Sequence, residues 1–220
     1  MFIDSSNYQT HAMKDWKAWR KRERERIIAE RLAIASAHNQ RWSTAISSLL
    51  QQGFPNLRKK KIGLYWPFRG EYDPRPAAHD FMAAGAVLAL PEVVGKNKPM
   101  HFREWWPDAP MCLGAYDIPV PHETRCIQPD VLIVPMVGFD QKGYRLGYGS
   151  GYYDRTLATF SVCPMTIGVA FEMQRLENVH PQLHDIAMHY VITEMGIFQA
   201  GRELLQQIPA ELCAKNNAVV

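Results

Sequence analysis

The stretch RLGYGSGYYDR, residues 145–155, sets three glycines at alternate positions (Gly147, Gly149, Gly151) between Arg145 and Arg155. Ser150, Tyr152, Tyr153 and Asp154 complete it. Glycine lets a backbone take left-handed angles and approach a ligand closely. Successive N–H groups in such a turn form an anion-binding concavity. The Arg145 guanidinium is a planar fork that matches phosphate oxygens. Bare backbone, positive charge and one carboxylate in so short a run point to a phosphate with its metal ion. The run is not a Gly-Lys-Ser/Thr phosphate loop, and its G-x-G-x-G spacing differs from the dinucleotide fingerprint. A tight glycine turn with a charged edge is the alternative reading, and Arg145, Tyr152, Tyr153 and Asp154 weigh toward a site.

The elements around the loop suit that chemistry. Residues 14–50 lack Gly and Pro and are rich in Ala, Arg, Glu and Leu, which predicts one or two helices. From residue 61 short apolar runs alternate with helical or loop segments. KIGLYWP, AVLALPEV, PMHFREWW, DVLIVPMVGF, MTIGVAF and HYVITEMGIF read as strands, and AAHDFMAAG, YYDRTLATF and GRELLQQI as helices. Strands separated by helices predict a single α/β domain with a mainly parallel sheet, buried on both faces and carrying the basic N-terminal helix. Ligands of such sheets sit beyond the carboxyl ends of the strands, where the glycine loop falls. The predicted boundaries are an arm over 1–13, the domain over 14–205 and a tail over 206–220.

Composition narrows the class. With 47% hydrophobic and 21% charged residues in 220, the chain is an ordinary globular one. No apolar run approaches the roughly 20 residues of a membrane span, and the polar N-terminus lacks the order of a secretory signal. A cytoplasmic location, without membrane partners, is expected. The four cysteines are dispersed, which predicts reduced, mostly packed thiols rather than disulfides or zinc ligands. The net charge of +3 resides in residues 14–31, which hold eight Lys or Arg against four Asp or Glu.

The segment FDQKGYRLGYGSGYYDR resembles the signature of the 5-formyltetrahydrofolate cyclo-ligases, also called methenyltetrahydrofolate synthetases. The resemblance extends from about residue 14 to 197 through IGLYWPFRGEYDPRP, ALPEV, IGVAFEMQ and HDIAMHYVITEMGI. It implies an enzyme dependent on ATP and magnesium that converts 5-formyltetrahydrofolate to 5,10-methenyltetrahydrofolate, with small-molecule partners only and a monomeric or weakly oligomeric state. It further implies that Arg145, Leu146, Gly147, Gly149, Ser150, Gly151, Tyr152 and Tyr153 meet ATP, with Arg145 and Tyr152 at the reacting groups. Arg20, with Lys17 or its neighbours Lys14 and Lys21, would close over the phosphates. Asp154 and Asp185 would hold magnesium, and Trp66, Glu71, Tyr116 and Tyr152 would line the folate site. Taken singly, several have plainer readings: core packing for Trp66 and Tyr116, a helix N-terminal carboxylate for Asp154, and a solvated face for Asp185 and the basic helix.

Three positions depart from the family pattern. Trp16 stands in the place of the N-terminal lysine, Glu92 in that of an arginine, and His189 in that of a second aspartate. They leave open a paralogue with the same ATP site and another substrate. A binder of nucleic acid or an acidic partner, using the 14–31 helix, is the reading from another class.

Overall fold

The computed structural model describes residues 5–217, with side chains from residue 16 onward. Helices α1 (Ser5–Leu32) and α2 (Ser36–Gly53) lead into strand β1 (Lys61–Gly63). Helix α3 (Arg75–Ala83) connects to β2 (Val87–Glu92), which turns back as β3 (His101–Trp105). A hairpin of β4 (Met111–Leu113) and β5 (Pro119–Pro121) precedes β6 (Val131–Pro135). A ribbon of β7 (Gly138–Asp140) and β8 (Arg145–Leu146) carries the glycine loop into α4 (Tyr152–Leu157). The remainder is β9 (Met165–Val169), β10 (Arg175–Leu176), β11 (Tyr190–Thr193), β12 (Gly196–Ala200), β13 (Leu205–Ile208) and α5 (Ala210–Asn217).

Eight strands form one sheet in the order β13-β12-β11-β9-β6-β1-β2-β3. The inner run β11-β9-β6-β1-β2 is parallel, and antiparallel strands extend it on both sides. Side chains alternate between the faces, as a period of two requires. Ile133, Ile167 and Ile192 pack with Ile46, Leu50 and Phe54 of the α2 segment. Leu132, Val134 and Val191 face the other way, onto Phe139 and Leu157. The apolar runs read as buried strands are buried for this reason.

Helix α1 packs differently. Its inward stripe is Arg20, Arg24, Ile27 and Arg31, spaced by four, three and four residues and so on one helical face. Ile27 is fully buried against Val137, Leu146 and Val179. The arginines flank this small apolar contact and reach beyond it to the cleft described below.

The structure corrects several sequence-based expectations. GRELLQQI is not helical: its second half is β13, paired antiparallel with β12 from Ile197–Ile208 to Ala200–Leu205. Edge pairing there overrides the helix propensity of Glu, Leu and Gln. DVLIVPMVGF is two strands rather than one, because Arg31 and Gln174 engage the Met136 and Val137 carbonyls between them. Residues 206–217 are no loose tail: Cys213 is fully buried on α2, and Asn56 donates to the Asn217 carbonyl (2.9 Å). The expected break between an arm and the domain at residue 13 falls inside α1, which runs unbroken from Ser5; residues 1–4 lie outside the described residues. Of the four thiols, all free, only Cys213 is buried. Among the described residues no helix is long and apolar enough to cross a membrane.

Placing a charge at Cys213 tests the packing of α5. Cys213→Asp is expected to cost roughly 3 kcal/mol or more in urea unfolding, since a carboxylate would lie buried with the Asn217 amide, 3.4 Å from Sγ, as its neutral donor. An unchanged midpoint would mean that α5 is dispensable.

Candidate functional site

A cleft of about 660 Å³ opens beyond the carboxyl ends of β1, β2 and β6. The fold brings nearly all the sequence-predicted residues to it. Lys17 and Arg20 come from α1, Trp66 and Glu71 from the segment after β1, Tyr116 from the β4–β5 hairpin, and Asp185 from the loop before β11. Arg145, Gly147, Gly149, Ser150, Gly151, Tyr152, Tyr153 and Asp154 supply the remaining wall. Leu146 does not reach it: its side chain lies in the Ile27 cluster and its carbonyl accepts from the Val137 N–H (2.9 Å). Lys21 reaches toward Glu25 on the outer face (4.0 Å), and the Lys14 side chain is outside the described ones.

The glycine loop is shaped by backbone needs. Asp140 accepts from the Lys142 and Tyr144 N–H groups (2.9 and 3.0 Å), which closes the turn between β7 and β8 and aims Arg145 into the cleft. Gly149 and Gly151 have φ of 100° and 64°, angles that side-chain-bearing residues rarely take. A Cβ at Gly147 would meet nothing within 4 Å, so the loop opens directly on the cleft.

Two buried ion pairs form the polar end. Arg145 Nη2 lies 2.6 Å from Asp154 Oδ2, and Arg20 Nη2 lies 2.5 Å from Asp185 Oδ2. The backbone joins them, because Asp154 Oδ1 accepts from the N–H of Ile186, the residue after Asp185 (3.2 Å). Arg20 also donates to the Val179 and His180 carbonyls (2.9 and 3.0 Å), and its guanidinium lies over the Trp16 ring, 5.0 Å from the centroid. The Tyr153 hydroxyl on this wall is buried with no hydrogen-bond partner among the described residues. Such an orphaned group is costly unless a ligand satisfies it.

Glu71 forms the other end. Arg69 and Gly70 both take left-handed angles (φ 49° and 75°), so the chain doubles back and the Glu71 carboxylate accepts from the Phe68 N–H (2.9 Å). Its second oxygen accepts from the Tyr148 hydroxyl (2.8 Å). Arg31, almost wholly buried, stands 3.9 Å from the carboxylate and donates to the Arg69 carbonyl (2.9 Å) and the Tyr148 hydroxyl (2.8 Å). Burial pushes the Glu71 carboxyl up to about 7, with Arg31 the largest influence the other way. Nearby, the Arg75 guanidinium lies 4.0 Å from the centre of the Trp66 ring and pairs with Asp73. Tyr116, with φ of 61°, is 61% exposed at the mouth, so packing in the core is excluded.

Arg24, Arg31 and Tyr148 are the residues that sequence reasoning missed. Arg24 Nε donates to the Gly147 carbonyl (2.6 Å), fastening the glycine loop to α1. The available signal was the 20-24-27-31 spacing, which places three arginines on one face with an isoleucine. The same geometry turns inward three of the five arginines of the basic segment. On the outer face Arg26 is engaged by Glu23 and Glu30 (2.7 and 2.8 Å).

The departures from the family pattern have local explanations. Glu92 pairs with Arg103 across β2 and β3 (2.7 Å). His189 Nδ1 meets the Thr166 N–H and hydroxyl (3.1 and 2.8 Å). Neither side chain lines the cleft. Trp16 does, as the platform under Arg20.

The site can therefore hold a polyanion between arginines and bare backbone, a cation on the two carboxylates that line the same cleft, and an N–H-rich ring against Glu71. A family model described as the 5-formyltetrahydrofolate cyclo-ligase family matches residues 16–194. A 5-formyltetrahydrofolate cyclo-ligase of Escherichia coli is 26% identical over 180 residues, covering 79% of this chain and 99% of the relative. One of Haemophilus influenzae is 31% identical over 142 residues, covering 60% and 75%. The solved structure of the Aquifex aeolicus 5,10-methenyltetrahydrofolate synthetase superposes with a TM-score of 0.72 at 30% identity, over 84% of this chain and 95% of that one.

The raised carboxyl of Glu71 makes a stability prediction. The folded protein keeps a proton on Glu71 that the unfolded chain releases near its ordinary value of 4.5, so this group's contribution to stability falls as pH rises from about 4.5 to about 7. Glu71→Gln removes that titration. The variant should gain on the parent by on the order of 3 kcal/mol between pH 4 and pH 8 in denaturant unfolding. A constant difference across that range would contradict the burial penalty.

Proposed function

Since the chain belongs to the 5-formyltetrahydrofolate cyclo-ligase family, we propose that its cleft performs that family's reaction, the ATP-dependent closure of 5-formyltetrahydrofolate to 5,10-methenyltetrahydrofolate, by phosphorylating the formyl oxygen. The observation that carries this reading is the convergence of the Arg145–Asp154 and Arg20–Asp185 pairs on one cleft with Glu71 at its other end.

The N5-formyl group is an amide, so its carbon is a poor electrophile and its oxygen a poor leaving group. In the proposed course the formyl oxygen bonds to the γ-phosphorus of ATP while the bond to the bridging oxygen breaks and ADP leaves with the electron pair. The N10 lone pair then adds to the formyl carbon. The carbon–oxygen bond breaks, phosphate departs carrying the former formyl oxygen, and N10 gives up its proton to that phosphate. Phosphoryl transfer of this kind depends on positioning and charge neutralisation more than on covalent help.

The geometry supports a role for each residue. Arg145 and Arg20 exchange carboxylate partners for phosphate oxygens, with Arg145 stabilising charge on the transferred group. The Gly147–Gly151 backbone and Ser150 lie along the phosphates, Lys17 stands at the mouth, and the orphaned Tyr153 hydroxyl finds its partner on the ligand. Glu71 accepts hydrogen bonds from the N–H edge of the pterin, its two oxygens retaining free acceptor capacity. Trp66, Tyr116 and Tyr152 form the aromatic walls.

Asp154 and Asp185 fit magnesium, a hard cation held by one or two carboxylates with phosphate oxygens and water completing its shell. Among the described residues no group of three or more acidic, His or Cys side chains assembles, so substrate phosphates and water would have to supply the remaining ligands. Bound there, the ion would neutralise phosphate charge.

Mixing the protein with ATP, magnesium and 5-formyltetrahydrofolate should raise the absorbance of 5,10-methenyltetrahydrofolate only when all three are present. Folded protein that binds both substrates yet yields no such rise would refute the proposed reaction. Arg145→Ala should lower turnover about 100- to 1,000-fold, as for loss of one preorganised donor. Near-normal turnover would remove Arg145 from the reacting centre.

A further inference from the structure

Tyr148 is the one side chain of residues 147–149, and it does not point along the phosphate wall. Its hydroxyl crosses to the opposite end of the cleft, donating to Glu71 Oε1 (2.8 Å) while accepting from Arg31 Nη2 (2.8 Å). Its ring leans on Phe68, with centroids 5.9 Å apart. The glycines on either side bring no side chain of their own, and Gly149 is held at φ 100°. On the far side of Gly147, Arg24 grips the carbonyl. A loop with bare backbone therefore has its middle residue tied to the carboxylate of the other binding end.

We propose that Tyr148 is a positioning residue that holds Glu71 and makes the binding of the folate and of the nucleotide interdependent. The inference rests on the reading that Glu71 receives the pterin. A pterin that donates to Glu71 favours its ionised form, and an ionised Glu71 strengthens the hydrogen bond from Tyr148. That bond orders residues 147–149, the backbone that meets the phosphates. Coupling is reciprocal, so a filled phosphate site must tighten the folate in the same proportion.

The groups facing Glu71 leave this relay intact. Arg31 of α1 is the cation nearest the carboxylate. Tyr65 and Tyr153 also feel its charge, but burial first and that charge second raise their hydroxyls, so both stay neutral. Tyr148 stays neutral for the same reasons.

Tyr148→Phe keeps the ring and removes one hydroxyl. The test is calorimetric titration of 5-formyltetrahydrofolate, with and without magnesium and a non-hydrolysable ATP analogue, in the parent, in Tyr148→Phe and in Glu71→Gln. In the parent the analogue should tighten the folate roughly 5- to 20-fold, the scale of one charge-assisted hydrogen bond. In Tyr148→Phe the folate should bind equally with and without the analogue. The acid limb of kcat/KM should also move to higher pH, because Glu71 loses a donor that favours its carboxylate. Equal coupling in parent and variant, or none in the parent, overturns the proposal. Glu71→Gln separates the two claims. Folate binding at parental strength in that variant overturns the pterin role of Glu71 and the proposal with it. Weakened binding there, beside full coupling in Tyr148→Phe, overturns the proposal alone.

Discussion

Three guanidinium groups on the inward face of α1 govern how the cleft is assembled. A buried arginine carries five N–H donors and a charge, and each must find acceptors or the burial is prohibitively unfavourable. Arg20 finds Val179, His180 and Asp185, Arg24 finds Gly147, and Arg31 finds Phe68, Arg69, Met136 and Tyr148. These acceptors belong to segments far apart in the chain. Satisfying the arginines therefore brings the loop before β11, the glycine loop and the turn after β1 to a single helix.

The same demand explains the electrostatics. Arg20 and Arg145 are neutralised by Asp185 and Asp154, both at a polar wall that carries an orphaned hydroxyl. The pairs keep the charges from standing alone, and their partners are of the kinds that phosphate and a hard cation replace. At the other end a carboxylate is held where burial raises its affinity for protons. Both ends hold polar groups that an apolar core would exclude, as expected where function limits stability.

Much of this was legible in sequence because it is local. The glycine spacing, Arg145 and Asp154 lie within eleven residues, and apolar runs such as Val131–Val134 announce buried strands. Asp185 could be paired with Asp154 only by resemblance, since 31 residues and a crossover separate them. Arg24 and Arg31 were hidden because arginines interspersed with glutamates read as a solvated helix, which is what Arg26 does with Glu23 and Glu30. Tyr148 was hidden between glycines that draw attention to the backbone. β13 was misread because its propensity is helical and only pairing with β12 decides it. Glu92 and His189, which looked like altered site residues, are engaged by Arg103 and Thr166 outside the cleft.

The central chemical claim is that this cleft activates the formyl group by moving a phosphoryl group onto its oxygen. The most direct measurement follows that oxygen. With 5-formyltetrahydrofolate labelled with oxygen-18 in the formyl group, mass analysis of the released phosphate should find one labelled oxygen per turnover. Unlabelled phosphate, released as the methenyl product forms, would contradict the account.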